Sequence, residues 1–280
     1  VSKLSPRAKR RLRTTGTHVL MIAVSAVILF PLFIAITSSL KGQEQIFSYP
    51  YVWLPWPLHF ENYKEAFRLV PLGRFLWNST VQSTMTTVAV LVTSALAAYA
   101  FAYLEFPFKR LVFGVILATM MVTGEVTIIP NYMTIHTLGW TDTYLGLTVP
   151  FFATGFGIFL LRQFLLQIPR ELYDAAVIDG CSRLRYLFTV VLPLSRPAMG
   201  TLAVYNFLST WNQYFWPLIV TNRPLMRTVQ IGIAMLRDEE GDHWHVIMAG
   251  VVVVTAPAII LFVLFQKQLV RGMTSGAIKG

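Results

Sequence analysis

Six long apolar blocks set the limits on what this chain can fold into. They are Val19 to Leu40, Phe75 to Leu104, a third that starts at Leu111, Thr143 to Leu161, Pro197 to Asn222 and Val246 to Gln266. A helix needs roughly 20 apolar residues to cross the hydrocarbon of a bilayer. All but the third meet or nearly meet that length on uncharged residues; the third takes in Glu125 near its end, just before Pro130. Composition points the same way. Only 13% of the 280 residues are charged and 55% are hydrophobic. A soluble bundle of this size would have too few charges to cover its surface. The sequence therefore predicts an all-α, polytopic integral membrane protein with six transmembrane helices.

Charge sets the expected orientation. Lys3, Arg7, Lys9, Arg10, Arg11 and Arg13 precede the first block with no acid among them. Lys109 and Arg110 separate blocks two and three, and Arg162, Arg170, Arg183, Arg185 and Arg196 lie between four and five. Cytoplasmic segments carry such an excess, so both termini are expected inside, in a multi-pass protein of the inner or plasma membrane. The net charge of +10 then needs no nucleic acid to explain it. Expected boundaries are a basic N-terminus over 1–17, a membrane domain over 18–272 and a cytoplasmic tail over 273–280. A first-block signal peptide is disfavoured by its length and by the lack of a clear cleavage site.

Little in the chain looks catalytic. The single cysteine, Cys181, excludes an internal disulfide, and His18, His59, His136, His243 and His245 are scattered, so no metal site is expected. No GxxxxGK[ST] loop is present to cradle a nucleotide. Asn78-Ser79-Thr80 fits a glycosylation acceptor, but at a helix entrance a cap or a chance match explains it as well. Glu125 reads equally as a pathway acid or as a residue at a wet interface. The Asn131 to His136 region reads as a loop with a turn at Gly139. In the first outer loop, IFSYPYVWLPWPLHF is too rich in proline for a helix. The following ENYKEAFRLV reads as a short amphipathic helix with Tyr63, Ala66, Phe67 and Val70 on one side. It could lie on the membrane or meet a soluble partner.

The segment ELYDAAVIDGCSRLRYLFTVVLPLSRP, from Glu171, interrupts the greasiest parts of the chain. Pro169 suits a first helical turn, and the helix can run to about Ile178, with Leu172, Ala175 and Ala176 on one face. Gly180 is placed to end it in the left-handed conformation. A second helix follows with Leu184, Leu187, Phe188 and Val191 on one side, and Pro193 and Pro197 bend the chain back toward the membrane. Such an elbow suits either force transmission from a partner or a plain interfacial hairpin.

Glu171-x-x-Asp174-Ala175-Ala176-x-x-Asp179-Gly180, then Phe188, then Leu192-Pro193-Leu194-x-x-Pro197, resembles the EAA signature of ATP-binding-cassette importer permeases. RQFLLQIP before it, Trp211-Asn212, Tyr99 to Tyr103 and the tail from Arg271 extend the resemblance, which is closest to carbohydrate-type, maltose-like second permeases. Asp174 stands where the family has Glu, and Cys181 where it commonly has Ala. The resemblance implies a cytoplasmic coupling-helix loop built on Glu171, Asp174, Ala175, Ala176, Asp179, Gly180, Pro193 and Pro197. It implies a second, homologous permease, two ATPase subunits that bind ATP and Mg2+, and an extracytoplasmic solute-binding protein, with no cofactor on this chain. It implies a tail, including Gly276, Lys279 and Gly280, that reaches the ATPases. The expected solute is a sugar or oligosaccharide, with glycerol-3-phosphate or a related solute as the alternative. Glu125, Trp211, Asn212, Gln213 and Tyr214 are the candidate pathway residues, combining aromatic surface with polar donors. No cation stands in the middle of a span, which favours a neutral sugar unless the partner permease supplies the charge. An ion-coupled carrier would be expected to show two related halves, and a non-transporting scaffold would need no elbow.

Overall fold

The computed structural model describes residues 6–240 and 243–274. Every regular element among them is helical. In order these are α1 (Pro6–Ser39), α2 (Gln43–Ile46), α3 (Glu61–Leu69), α4 (Leu72–Tyr103), α5 (Lys109–Thr119), α6 (Gly124–Thr137), α7 (Tyr144–Thr148), α8 (Gly155–Leu165), α9 (Arg170–Ile178), α10 (Arg183–Tyr186), α11 (Leu192–Leu194), α12 (Arg196–Trp211), α13 (Phe215–Val220), α14 (Val229–Glu240) and α15 (Trp244–Thr274).

Among the described residues three stretches are long and apolar enough to cross a membrane unbroken: Thr14–Ser39, Leu72–Tyr103 and Trp244–Gln266. Three more spans arise only if each bent pair counts as one: Lys109–Thr119 with Gly124–Thr137 at 98°, Tyr144–Phe151 with Gly155–Leu165 at 47°, and Arg183–Leu194 with Arg196–Trp211 at 77°. The structure thus allows up to six spans, and half of the six blocks are not single helices. The fifth block breaks at Asn212 to Tyr214, so Pro197 to Asn222 holds α12 and the short α13 instead of one rod. The third breaks between Thr119 and Gly124, ahead of Glu125. Asn131 and His136, expected in a loop, lie inside α6, which continues through Pro130. The turn at Gly139 is present, with φ +68°.

The chain divides into two compact units, residues 1–70 with 235–253, and residues 71–234 with 254–280. In the first unit the end of α1 is closed from a distance. The last carbonyls of a helix have no partner within it. Here Asn62 donates its amide N–H groups to the carbonyls of Ser39 (2.9 Å) and Lys41 (2.8 Å). Lys41 is fully buried, with its ammonium 3.8 Å from the Tyr51 ring centroid. Residues 47–60 form no helix, in keeping with their prolines, and Tyr49, Trp53 and Trp56 are exposed. The helix over ENYKEAFRL forms as expected, but its buried stripe is Asn62, Ala66 and Val70, and Phe67 points out. Asn62 turns the helix, because its amide is used on α1.

In the second unit α4 packs against α12 and α8. Val90, Ala95, Ala98 and Tyr99 of α4 meet Leu161 and Leu165 of α8, Leu187 and Val191, and Ala198 and Leu202 of α12. Gly157 lets α8 approach this closely, since a Cβ there would collide with the Ser94 hydroxyl. Asn78, fully buried, ties α4 to the chain ahead of α14. It donates to the carbonyls of Leu225 and Arg227, both at 2.8 Å, and accepts from the Tyr144 hydroxyl at 2.7 Å. It is neither a helix cap nor an accessible glycosylation acceptor.

Candidate functional site

Two features of the second unit concentrate the residues singled out by the sequence. The first is α9 and the turn after it. Glu171 lies in the first turn of α9, where a carboxylate suits the helix dipole. The helix ends in a Schellman motif: the Cys181 N–H donates to the Ala176 carbonyl (2.8 Å) and the Gly180 N–H to the Val177 carbonyl (3.0 Å). Gly180 supplies the left-handed residue this requires, at φ +73°. Ser182 then caps α10, accepting the Arg185 N–H at 3.3 Å. A π turn over Leu187–Val191 and α11 follow, and the 77° bend falls at Ser195, between Pro193 and Pro197.

The faces differ from the sequence expectation. Tyr173 and Ala176 turn inward, whereas Leu172 and Ala175 are exposed. Glu171, Asp174, Ala175 and Ile178, spaced i, i+3, i+4 and i+7, form one exposed stripe. On the following helix Leu187 and Val191 are buried, while Leu184 and Phe188 are exposed. What anchors α9 is a tyrosine stack that sequence reading missed. Tyr173 lies 5.3 Å from both Tyr103 and Tyr186, and Tyr99 lies 5.3 Å from Tyr103 (ring centroids). The Tyr99 hydroxyl donates to the Arg183 carbonyl at 3.0 Å. These tyrosines come from three separate segments, so no local pattern could announce them.

The second feature is a cleft of about 360 Å³ between α6 and the break after α12. Glu125, Thr127, Ile128 and Asn131 line one side, and Ser209, Asn212, Gln213, Tyr214 and Phe215 the other. Phe151 and Trp216 meet edge to face in its wall, with centroids 5.6 Å apart. Four of the five predicted pathway residues are therefore together. Trp211 is not: it is buried, stacks on Phe207 and donates its indole N–H to the Val254 carbonyl at 3.3 Å. Two further glutamines brace the cleft. Gln82, buried in α4, donates to the Gln213 side-chain oxygen at 3.0 Å, and Gln230 donates to that of Asn212 at 3.3 Å. A glutamine within an apolar span is itself a sequence signal, and Gln82 could have been found by it. No Lys or Arg lines the cleft. Among the described residues no group of three or more His, Cys, Asp or Glu is placed to hold a metal. The tail residues Gly276, Lys279 and Gly280 lie outside the described residues.

A helical fold with up to six membrane spans, three of them bent, an exposed capped elbow and a cleft with a few polar groups in largely apolar walls fits a multi-pass membrane protein. Residues 92–275 match the family of binding-protein-dependent transport system inner membrane components, and the chain belongs to that family. It is thus a permease subunit of an ATP-binding-cassette transporter and is not itself catalytic; in this family ATP hydrolysis typically falls to a separate ATPase partner. It is 35% identical over 264 residues to the sn-glycerol-3-phosphate transport system permease protein UgpE of Yersinia enterocolitica, covering 91% of this chain and 94% of the relative. It is 36% identical over 265 residues to the protein of that name from Brucella abortus, with the same coverage. The fold is shared with a chain of a bacterial transporter involved in import of the acidic polysaccharide alginate. That likeness has a TM-score of 0.81 at 22% identity and covers 95% of this chain and 99% of that one. The curated relatives are named for glycerol-3-phosphate and the shared fold is that of a polysaccharide importer, so the narrower expectation of a maltose-like, carbohydrate-type subunit is not singled out.

Proposed function

We propose that this chain forms half of the translocation pathway of an importer for glycerol-3-phosphate or a closely related hydroxyl-bearing solute. It would pair with a second permease and receive solute from an extracytoplasmic binding protein. Two ATPase subunits would drive it, holding ATP and Mg2+. The observation that carries this reading is the cleft in which Glu125, Asn212 and Gln213 meet largely apolar, aromatic walls, set in a chain whose relatives over 91% of its length are named for that solute. Its lining offers amide and hydroxyl groups and one carboxylate, Glu125, between aromatic walls, a mixture suited to a small polyol. Glu125, Asn212, Gln213 and Tyr214 are the pathway residues of this proposal.

The elbow completes it. By the excess of basic residues in cytoplasmic segments, α9 would lie in the cytoplasm with both termini. There the exposed stripe of Glu171, Asp174, Ala175 and Ile178 would seat in a cleft of the ATPase. The Gly180 turn after Asp179, and the bend between Pro193 and Pro197, would carry ATPase closure into α12, whose far end borders the solute cleft. The tail, with Gly276, Lys279 and Gly280, would lie beside the ATPases.

The test is uptake into proteoliposomes that contain both permeases and the ATPases. With binding protein and ATP, labelled glycerol-3-phosphate should accumulate inside, and not when either is omitted. Uptake of a maltose-type sugar with none of glycerol-3-phosphate would refute the solute assignment. Uptake independent of ATP would refute the transporter class.

A further inference from the structure

Glu125 is the only charged residue lining the cleft. It stands in the first turn of α6, after the 98° break, and none of the ion pairs among the described residues uses its carboxylate. Two of the neighbouring amides, by contrast, already have their oxygens engaged. The Gln213 and Asn212 oxygens accept from Gln82 and Gln230, and the Asn212 N–H group donates to the Leu208 carbonyl at 2.9 Å. A carboxylate is an acceptor only, with two oxygens side by side. Its natural complement is a pair of donors at matching separation, which a vicinal diol presents. Hydrogen bonds from hydroxyls to a carboxylate are short and about twice as strong as neutral ones. A phosphate is the opposite case: it brings acceptors and negative charge to a group that is itself both, and like charges repel strongly at such range.

We propose that Glu125 reads the vicinal diol of the solute, and that the solute's anionic group is held outside this chain's cleft, by cations of the partner permease. This inference rests on the reading of the cleft as a solute site. It makes Glu125 a specificity-determining residue and divides recognition between the two permeases, hydroxyls on this chain and charge on the other.

The experiment uses the assembled complex in proteoliposomes, without binding protein, so that the binding protein's own selectivity does not enter. Ser209, which lines the cleft, is replaced by Cys in a Cys181→Ala background, and its alkylation rate is measured against added solute. Glycerol-3-phosphate should protect the thiol. The analogue 3-hydroxypropyl phosphate, with equal charge and one hydroxyl fewer, should need about tenfold higher concentration, the worth of one hydrogen bond to a charged group. Glu125→Gln keeps the shape and removes the charge. In that variant the two protection curves should converge, through loss of glycerol-3-phosphate affinity. Equal protection by the two compounds with Glu125 intact would overturn the inference and leave the cleft as a solute site. Protection by neither, with uptake intact, would overturn the cleft reading and the inference with it.

Discussion

Asn78 shows how far a single residue can depart from its local reading. In sequence it belongs to an Asn-Ser-Thr triplet; in the fold it satisfies two carbonyls and a tyrosine hydroxyl from segments far along the chain. A buried polar group that loses its partners costs about 1–3 kcal/mol. Asn78→Ala strands three such partners at once, so thermal unfolding of the purified complex in detergent should show a loss of at least that size. A melting temperature equal to wild type would mean that the carbonyls find other partners. Asp142 makes the same point. Its carboxylate accepts the backbone N–H groups of Asn222 (2.7 Å) and Arg223 (2.8 Å). Both roles depend on chain that lies 66 residues or more away, and no local pattern encodes that. Glu125 was legible as an oddity because charge in an apolar block is costly. What it faces was not, since the opposite wall comes from the break after α12.

At the scale of elements, legibility followed the strength of the local signal. The end of α9 and the start of α10 were readable because a glycine after a short amphipathic run has few other uses, and Gly180 does adopt positive φ. Which face of α9 turns inward was not readable, because the anchor is a tyrosine stack assembled from α4, α9 and α10. Hydropathy found six blocks but not their bends, since apolar composition is the same in a straight helix and a broken one. The break at Asn212 to Tyr214 is braced by side-chain hydrogen bonds from distant segments, Gln82 to Gln213 and Gln230 to Asn212. For Gly180 the element makes a definite prediction. Open space surrounds it, so any defect from a side chain would come from backbone conformation, at about 1 kcal/mol. Gly180→Val should insert and assemble, leave the binding protein's affinity unchanged, and lower transport and binding-protein-stimulated ATP hydrolysis together. Full transport from an assembled variant would remove the turn from the coupling path.

On the scale of the whole molecule, the chain is a permease of the binding-protein-dependent importers, with three unbroken spans among the described residues and up to six if each bent pair is one span. Family membership was legible because its signature is a short contiguous string. The solute was not: the relatives are named for glycerol-3-phosphate, the shared fold is that of an acidic-polysaccharide importer, and the residues of the cleft come from separated segments. The proposal that matters most is that the exposed stripe of α9 faces the cytoplasm and is where the ATPase sits. Replacing Ala175 by Cys in a Cys181→Ala background places a reporter on that stripe. A membrane-impermeant maleimide should label it in inside-out vesicles stripped of ATPase, fail to label it in right-side-out vesicles, and lose access when the ATPase is added back. Labelling from the outside, or labelling unaffected by bound ATPase, would contradict the assignment of α9 as the coupling element.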